Sequence, residues 1–229
     1  MKTLGLLGGM SWQSTIPYYR LINEAVAARL GGLHSAKILL ASGDFAELEA
    51  LMQVGRWDTA GEVLGRAAAV LEHAGAEALV VCTNTLHKVA AAIERAVEIP
   101  LLHIIDPTAA AVMRAGVSKV GLLATGFTME ADFYIERLRS HGLEVLVPDA
   151  ADRRAVHRII FEELCVGRVL DASRRTYQEV IRRLAAAGAQ GLILGCTEIA
   201  MLISPSDSAL PLFDTTALHA AHAAEWALA

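Results

Sequence analysis

Two short polar segments carry the side chains best suited to proton transfer, and each follows an apolar run. Thr83-Asn84-Thr85 follows residues 78–82, and Cys196-Thr197-Glu198 follows residues 191–195. A thiolate can remove a proton from carbon, whereas a threonine hydroxyl is far less acidic and instead relays or positions a proton. We expect the strand-end, helix N-terminal setting of Cys196 to lower its pKa from about 8.5 towards neutrality. The segments therefore predict Cys196 as a base and Thr83 as its weaker partner.

The same two segments are equivalent positions of an internal repeat. Residues 74–85 align without gaps on residues 187–198, which sets Thr83 against Cys196 and Asn84 against Thr197. A second echo relates residues 2–10 to residues 119–127. The offsets of about 113 and about 117 residues agree to within a few residues, as expected of a duplication. Inversion of a tetrahedral carbon needs one group on each face, and pseudo-symmetric loops supply two such faces.

The elements that must position these loops follow from the alternation of apolar runs with amphipathic stretches, which is typical of parallel strands joined by crossover helices. Strands are predicted at residues 3–7, 37–41, 78–82, 101–105, 119–123, 144–147, 191–195 and 212–213. Helices are predicted at residues 15–29, 59–73, 87–97, 129–140, 151–165, 172–187 and 217–228.

The predicted fold class is α/β, with two pseudo-symmetric doubly wound parallel-sheet lobes and the active site between them. The first lobe covers residues 1–106, to which residues 207–229 return, and the second covers residues 107–206. Ligands of such sheets bind beyond the carboxyl ends of the strands. Four segments qualify: residues 8–11, 83–85, 124–126 and 196–198.

The glycine loop Gly8-Gly9-Met10-Ser11 does not indicate a nucleotide site, because the chain has neither GxGxxG here nor a GxxxxGK[ST] phosphate loop. One interpretation is that the glycines let backbone amides approach a small carboxylate, with Ser11 and Ser14 as candidate caps of the first helix. The other is a tight turn without a ligand.

Cys82 is an alternative to Thr83 at the end of its strand. Side chains alternate between the two faces of a strand, so Cys82 should point away from the cleft if the strand persists to that position. We therefore prefer Thr83, and a bulge at the strand end would reverse the choice.

Composition limits the classes of partner and location. The chain is 54% apolar and 20% charged, with a formal charge of −5 and no long basic run, which predicts a globular protein without a nucleic-acid or membrane partner. The start MKTLGLLGGMSW fits neither a signal peptide nor a membrane span, so a cytoplasmic protein is expected. Cys82, Cys165 and Cys196 form no CxxC pair, and despite eight histidines we predict no metal.

Together, the motifs LGLLGGMSW, TNT followed by Leu86-His87, LLATGFTM, GCTEI and Phe213-Asp214-Thr215 resemble the aspartate/glutamate racemase family over essentially the whole chain. This resemblance implies an amino-acid racemase that needs neither pyridoxal phosphate nor a metal, and a homodimer. Within the family the chain is most similar to a subgroup with the same Cys-Thr-Asn-Thr and GCTEI wording. That subgroup implies a Thr83 and Cys196 catalytic pair and a preference for the L-enantiomer.

The chain also departs from the family pattern. Thr83 stands where a cysteine usually begins the CNT motif. Aspartate-specific members carry an arginine on the loop after the second strand and a lysine in the EEL-x-x-G segment, but here the loop reads SGDF and Cys165 occupies the lysine position. Arg154, His157 and Arg158 are candidate replacements. Acidic substrates are the family default, and neutral amino acids remain open.

These inferences define the predicted site. The catalytic residues are Cys196 and Thr83, and the substrate-binding residues are Met10, Ser11, Met52, Asn84, Thr85, Thr125, Thr128, Thr197 and Glu198. The substrate is a small amino acid, with aspartate or glutamate expected, and no cofactor is required. Two rival functions remain: a cysteine-dependent isomerase or decarboxylase of small diacids, and a non-catalytic amino-acid-binding protein.

Overall fold

The computed structural model describes residues 1–229, which divide into two compact units. The first comprises Met1–Ile104 and His219–Ala229, and the second comprises Ile105–Leu218. The chain returns to the first unit at His219 and not at residue 207, because strand β8 (Leu212–Asp214) pairs with a strand of the second sheet.

The first unit is built on a four-stranded parallel sheet. Its strands are β1 (Leu4–Gly8), β2 (Ile38–Ser42), β3 (Ala78–Val81) and β4 (Leu101–Leu102), in the order β2-β1-β3-β4. Its helices are α1 (Trp12–Leu30), α2 (Phe45–Gln53), α3 (Trp57–His73) and α4 (Ala90–Glu94), with a 3-10 helix at Thr85–Val89. The order reverses direction between β1 and β3, which makes the sheet doubly wound.

The second unit repeats this topology. Its strands are β5 (Lys119–Ala124), β6 (Glu144–Leu146), β7 (Gly191–Gly195) and β8, in the parallel order β6-β5-β7-β8. Its helices are α5 (Ile105–Arg114), α6 (Gly126–Met129), α7 (Asp132–Ser140), α8 (Ala150–Glu162), α9 (Asp171–Ala186) and α10 (Ile199–Leu202). Short 3-10 helices lie at Leu164–Val166 and Pro205–Asp207. A last helix, α11 (Thr215–Leu228), begins in this unit and continues in the first.

The central strands are apolar on both faces because helices cover both. In the first unit, Leu4 and Leu6 of β1 pack with Tyr18 and Ile22 of α1 and with alanines of α11, while Gly5 faces the α3 side. Strands β1, β3 and β7 are buried along their whole length. This burial explains why the strands appear in the sequence as continuous apolar runs and not as alternating ones.

A close packing contact is repeated in both units. A Cβ added at Gly5 would lie 2.9 Å from Ala76 and 3.3 Å from the Cβ of Leu71 on α3. At the equivalent Gly121 of β5, an added Cβ would lie 2.8 Å from Leu192 and 3.0 Å from Leu184 on α9. Each unit therefore needs glycine here so that a helix can approach its first strand.

All eight predicted strands are present, and the two-unit α/β fold is confirmed. Helices α2 and α5 were not predicted. Helix α2 begins at a capping aspartate, since the Asp44 carboxylate accepts the Ala46 N–H at 3.1 Å. Helix α5 carries Pro107 in its first turn, where proline is tolerated. The predicted helix at residues 87–97 is a 3-10 turn followed by the short α4.

None of the helices combines the length and apolar character that a bilayer span requires.

The repeated glycine contact gives a stability prediction. Gly121→Val should lower the free energy of unfolding by about 1–3 kcal/mol, because the branched side chain overpacks the β5–α9 contact. Gly43→Val is the matched control, since a Cβ there has no atom within 4 Å. Urea unfolding followed by circular dichroism measures both; equal losses in the two variants would contradict the packing argument.

Candidate active site

Strand β3 ends at Val81, and the two residues after it have different surroundings. Cys82 is fully buried among the side chains of Leu4, Leu6 and Tyr18. Burial there raises the pKa of its thiol. The Cys82 thiol is therefore a component of the apolar core of the first unit, as strand alternation predicted.

The loop after Cys82 is held by backbone and side-chain bonds. The Thr83 N–H donates to the Val81 carbonyl at 2.9 Å, and the Thr83 carbonyl lies 2.7 Å from Nδ1 of His87. The His87 N–H donates to the carbonyl of Asn84 at 3.1 Å. Thr83, Asn84 and Thr85 are all buried. In the sequence His87 stands out only as a neighbour of the TNT motif, and no local signal indicates a role for it.

The glycine loop after β1 is shaped by a close approach of backbone to backbone. Gly9 has φ +84°, and a Cβ on it would collide with the carbonyl of Gly43. Its N–H donates to Oγ1 of Thr15 at 2.8 Å, and that hydroxyl donates to the Ser11 carbonyl at 3.0 Å. The Met10-Ser11 peptide bond is cis. These contacts explain the glycine without a ligand, so the loop alone does not indicate a carboxylate site.

The predicted caps of α1 behave differently from expectation. Ser11 occupies the N-cap position, but its side chain makes no capping bond. The Ser14 hydroxyl lies 2.8 Å from the Ser11 carbonyl and 3.2 Å from the Cys82 carbonyl, so it donates to one of them at a time. Because β1 and β3 are neighbouring strands, the first unit gathers Met10, Ser11 and Thr83–Thr85 at one edge of its sheet. Met52, which was also predicted to bind substrate, is not part of these two loops and is buried in α2.

In the second unit, Cys196 is the first residue after β7 and is bonded to a buried carboxylate. Its thiol donates to Oε2 of Glu198 at 3.0 Å, and the Thr197 hydroxyl donates to the same oxygen at 2.6 Å. Both Cys196 and Glu198 are buried. These two bonds join Cys196, Thr197 and Glu198 into one group.

The expected lowering of the Cys196 pKa is wrong. Burial raises the pKa of the thiol, and the nearby negative charge of Glu198 raises it further. The helix that follows, α10, is only four residues long, so its dipole is too weak to offset these effects. Cys196 is therefore a neutral thiol in the free site, with a proton acceptor already in contact.

Cys165 also belongs to this environment. It lies in the 3-10 turn Leu164–Val166, and burial, the charge of Glu198 and a hydrogen bond to Glu198 all raise its pKa. A neutral thiol thus occupies the position where the resemblance places a lysine. The Cys165 position therefore supplies no positive charge to offset the negative charge of Glu198.

The candidate replacements for the missing cation are already engaged or exposed. Arg158 lies 3.5 Å from Glu162 and 3.4 Å from Glu163, and Arg154 is exposed. The ring of His157 accepts the Gly126 N–H through Nδ1 at 3.1 Å, and burial lowers its pKa. A ring nitrogen that accepts a hydrogen bond is unprotonated, so His157 is neutral here.

The threonine loop after β5 lies next to Cys196. Ala124 of β5 is the register partner of Gly195 of β7, so Thr125 and Cys196 follow paired residues of adjacent strands. The hydroxyls of Thr125 and Thr128 lie 3.2 Å apart, and both residues are buried. The second unit therefore gathers Thr125, Thr128 and residues 196–198 at one edge of its sheet.

The Phe213-Asp214-Thr215 motif connects β8 to α11. Oδ1 of Asp214 accepts the N–H groups of Thr216 and Ala217, and the Thr215 hydroxyl donates to the Leu194 carbonyl of β7 at 2.8 Å. These bonds cap α11 and fix it to the sheet.

No group of three or more His, Cys, Asp or Glu side chains is arranged to hold a metal ion.

Known proteins resemble this chain over nearly its full length. The sequence profile of the Asp/Glu/Hydantoin racemase family matches residues 7–223. An Asp/Glu racemase candidate from Yersinia pestis is 57% identical, with a TM-score of 0.93 and complete coverage of both chains. An aspartate racemase homologue from Pyrococcus horikoshii is 34% identical, with a TM-score of 0.85 and complete coverage of both chains.

A more distant structure shares the fold alone. The aspartate racemase of Picrophilus torridus is 21% identical, with a TM-score of 0.77 over 98% of this chain and 95% of its own. Three findings lead to one assignment: two parallel four-stranded sheets with the same strand order, a thiol after β7, and the match over residues 7–223. The chain belongs to the Asp/Glu/hydantoin racemase family and is an isomerase of the amino-acid racemase type.

Proposed function

We propose that this protein racemises an acidic amino acid, aspartate or glutamate, without pyridoxal phosphate or a metal, with Cys196 and Thr83 as the catalytic pair. The observation that carries the proposal is the hydrogen bond from the Cys196 thiol to the buried Glu198 carboxylate. Similarity to an Asp/Glu racemase candidate and to an aspartate racemase homologue supports the substrate class. The homodimer and the cytoplasmic location stay predictions.

The first step is proton transfer within the second unit. The Glu198 carboxylate takes the thiol proton of Cys196, and the resulting thiolate removes the α-hydrogen of the substrate. The proton ends on sulfur and the electron pair remains on Cα, where it delocalises into the substrate carboxylate. Hydroxyls of Thr125, Thr128 and Thr197 are candidates to stabilise that developing charge.

Charge balance explains how a thiol with a raised pKa can react. Transfer of the thiol proton to Glu198 moves the single negative charge of the pair onto a buried sulfur, which is unfavourable because burial raises the pKa of the Cys196 thiol. The α-ammonium group of an amino acid supplies a compensating positive charge when it binds. The thiolate therefore forms only in the presence of substrate, and compounds without an ammonium group should not be deprotonated.

Reprotonation from the opposite face is assigned to Thr83. Its hydroxyl is too weak an acid to act alone, so it relays a proton from solvent. The asymmetry of the pair accounts for L-enantiomer preference, with the L-form presenting its α-hydrogen to Cys196. Because the equilibrium constant of a racemisation is one, kcat/KM must be equal in the two directions. The preference can appear only as an equal change in kcat and KM, or in exchange without inversion.

A second candidate substrate class, small neutral amino acids, is favoured by one observation. Cys165 stands at the lysine position, and Arg158 is engaged with Glu162 and Glu163. Neither position therefore offers an uncommitted cation for a side-chain carboxylate. A panel of L-Asp, L-Glu and neutral amino acids separates the two classes.

The first test is deuterium incorporation at Cα in heavy water. Cys196→Ser should lower exchange by about 10²-fold or more, the contribution of a positioned base. Cys82→Ala is the control and should retain exchange, because that thiol belongs to the core. Wild-type exchange in Cys196→Ser would contradict the role of Cys196. Binding without exchange would favour an amino-acid sensor, and product formation from maleate or substituted malonates would favour the diacid enzyme.

The second test separates the effect of Glu198 on the Cys196 pKa from its proposed role as proton acceptor. Its charge raises the Cys196 pKa, so Glu198→Gln should lower that pKa and speed alkylation of Cys196 by iodoacetamide at pH 8. The same variant should slow Cα exchange, because the proton acceptor is lost. Peptide mass spectrometry measures alkylation residue by residue. If alkylation and exchange change in the same direction, the assigned role is wrong.

The third test concerns Thr83. Thr83→Cys introduces a second thiol that can act as a base, so Cα deuterium exchange of the D-enantiomer should rise relative to that of the L-enantiomer. Thr83→Ser is the matched control, since it keeps the hydroxyl. An unchanged ratio of D to L exchange in Thr83→Cys would argue against a role for this residue at the reacting carbon.

A further inference from the structure

His87 is a buried imidazole in the first unit with both ring nitrogens bonded to the backbone. Nδ1 lies 2.7 Å from the carbonyl oxygen of Thr83, and Nε2 accepts the N–H of Ile104 at 3.2 Å. The ring also packs against His103, with centroids 4.5 Å apart, and against His219 at 5.8 Å. It therefore connects the Thr83 loop to the end of β4.

These two bonds allow only one protonation state. A backbone N–H can only donate, so Nε2 facing Ile104 must carry no proton. A carbonyl can only accept, so Nδ1 facing Thr83 must carry the proton. A doubly protonated ring would direct an N–H against the Ile104 N–H. His87 is thus fixed as the neutral Nδ1–H tautomer.

We infer that His87 is a positioning residue that fixes Thr83 for its proposed part in racemisation. The inference rests on the proposed function, because it assigns His87 a role through Thr83 and not at the substrate. The ring ties the carbonyl of Thr83 to the backbone of Ile104, so the conformation of residue 83 depends on His87. Misplacement of a reacting group by about 1 Å can cost about 10²-fold in rate.

The positioning role predicts a selective defect. His87→Leu removes both bonds and should lower inversion of the L-enantiomer by about 10²-fold, while Cys196-dependent exchange with retention continues. A purely structural role would lower inversion and exchange by the same factor. The ratio of exchange to inversion, read by chiral chromatography with mass spectrometry in heavy water, distinguishes the two.

Conservative variants keep the test decisive if His87→Leu folds poorly. In His87→Asn the side-chain amide can take the place of Nδ1 and should restore much of the inversion. In His87→Gln the amide takes the place of Nε2 and should restore less. His219→Asn is the matched control, because the ring nitrogens of that buried histidine bond Tyr18 and the Leu102 carbonyl. A ratio that changes equally in His219→Asn and His87→Leu would overturn the inference.

Nitrogen NMR of histidine-labelled protein tests the inference without activity. At pH 7.5 the His87 ring, assigned by its loss in His87→Asn, should be protonated at Nδ1 and unprotonated at Nε2. A ring protonated at Nε2 overturns the proposed anchoring. If wild type exchanges no amino acid, the proposed function fails by itself. The amide shifts of Thr83 and Asn84 then decide the positioning role, which requires them to move in His87→Leu and recover in His87→Asn.

Discussion

Burial of the central strands on both faces is the constraint on which this protein depends. Strands β1, β3 and β7 are covered by helices on each side, so none of their positions can hold an exposed polar group. In these three segments, polar side chains therefore lie outside the strands. Thr83 follows β3 by two residues and Cys196 follows β7 at once, so the proposed catalytic residues both lie at the carboxyl ends of strands.

The same constraint explains what the sequence could predict. Buried parallel strands produce continuous apolar runs, so all eight strands and the duplicated order were visible in the sequence. Helices α2 and α5 were missed because their start signals, Asp44 and Pro107, stand in segments that also look like loops. The return at His219 depends on the pairing of β8 with β7, which local sequence does not encode.

The surroundings of the site residues were harder to predict, because they depend on contacts between distant parts of the chain. The position of Cys196 followed from the repeat, but its pKa depends on burial, on Glu198 and on Cys165, thirty-one residues earlier in the sequence. His87 was visible only as part of a motif. Its bond to Ile104, seventeen residues away, gives it a defined tautomer.

The duplication has left the two halves with equivalent backbones and different electrostatics. Around Thr83 the first unit provides a neutral imidazole bonded to the backbone, whereas around Cys196 the second unit provides a carboxylate. Only the second arrangement can accept a proton from its neighbouring side chain. In the proposed mechanism the stronger base therefore belongs to one half of the repeat, and the other half supplies a hydroxyl that must be held in place. Because the overall equilibrium is symmetric, this asymmetry can change the height of each proton-transfer barrier but not the ratio of kcat/KM between the enantiomers.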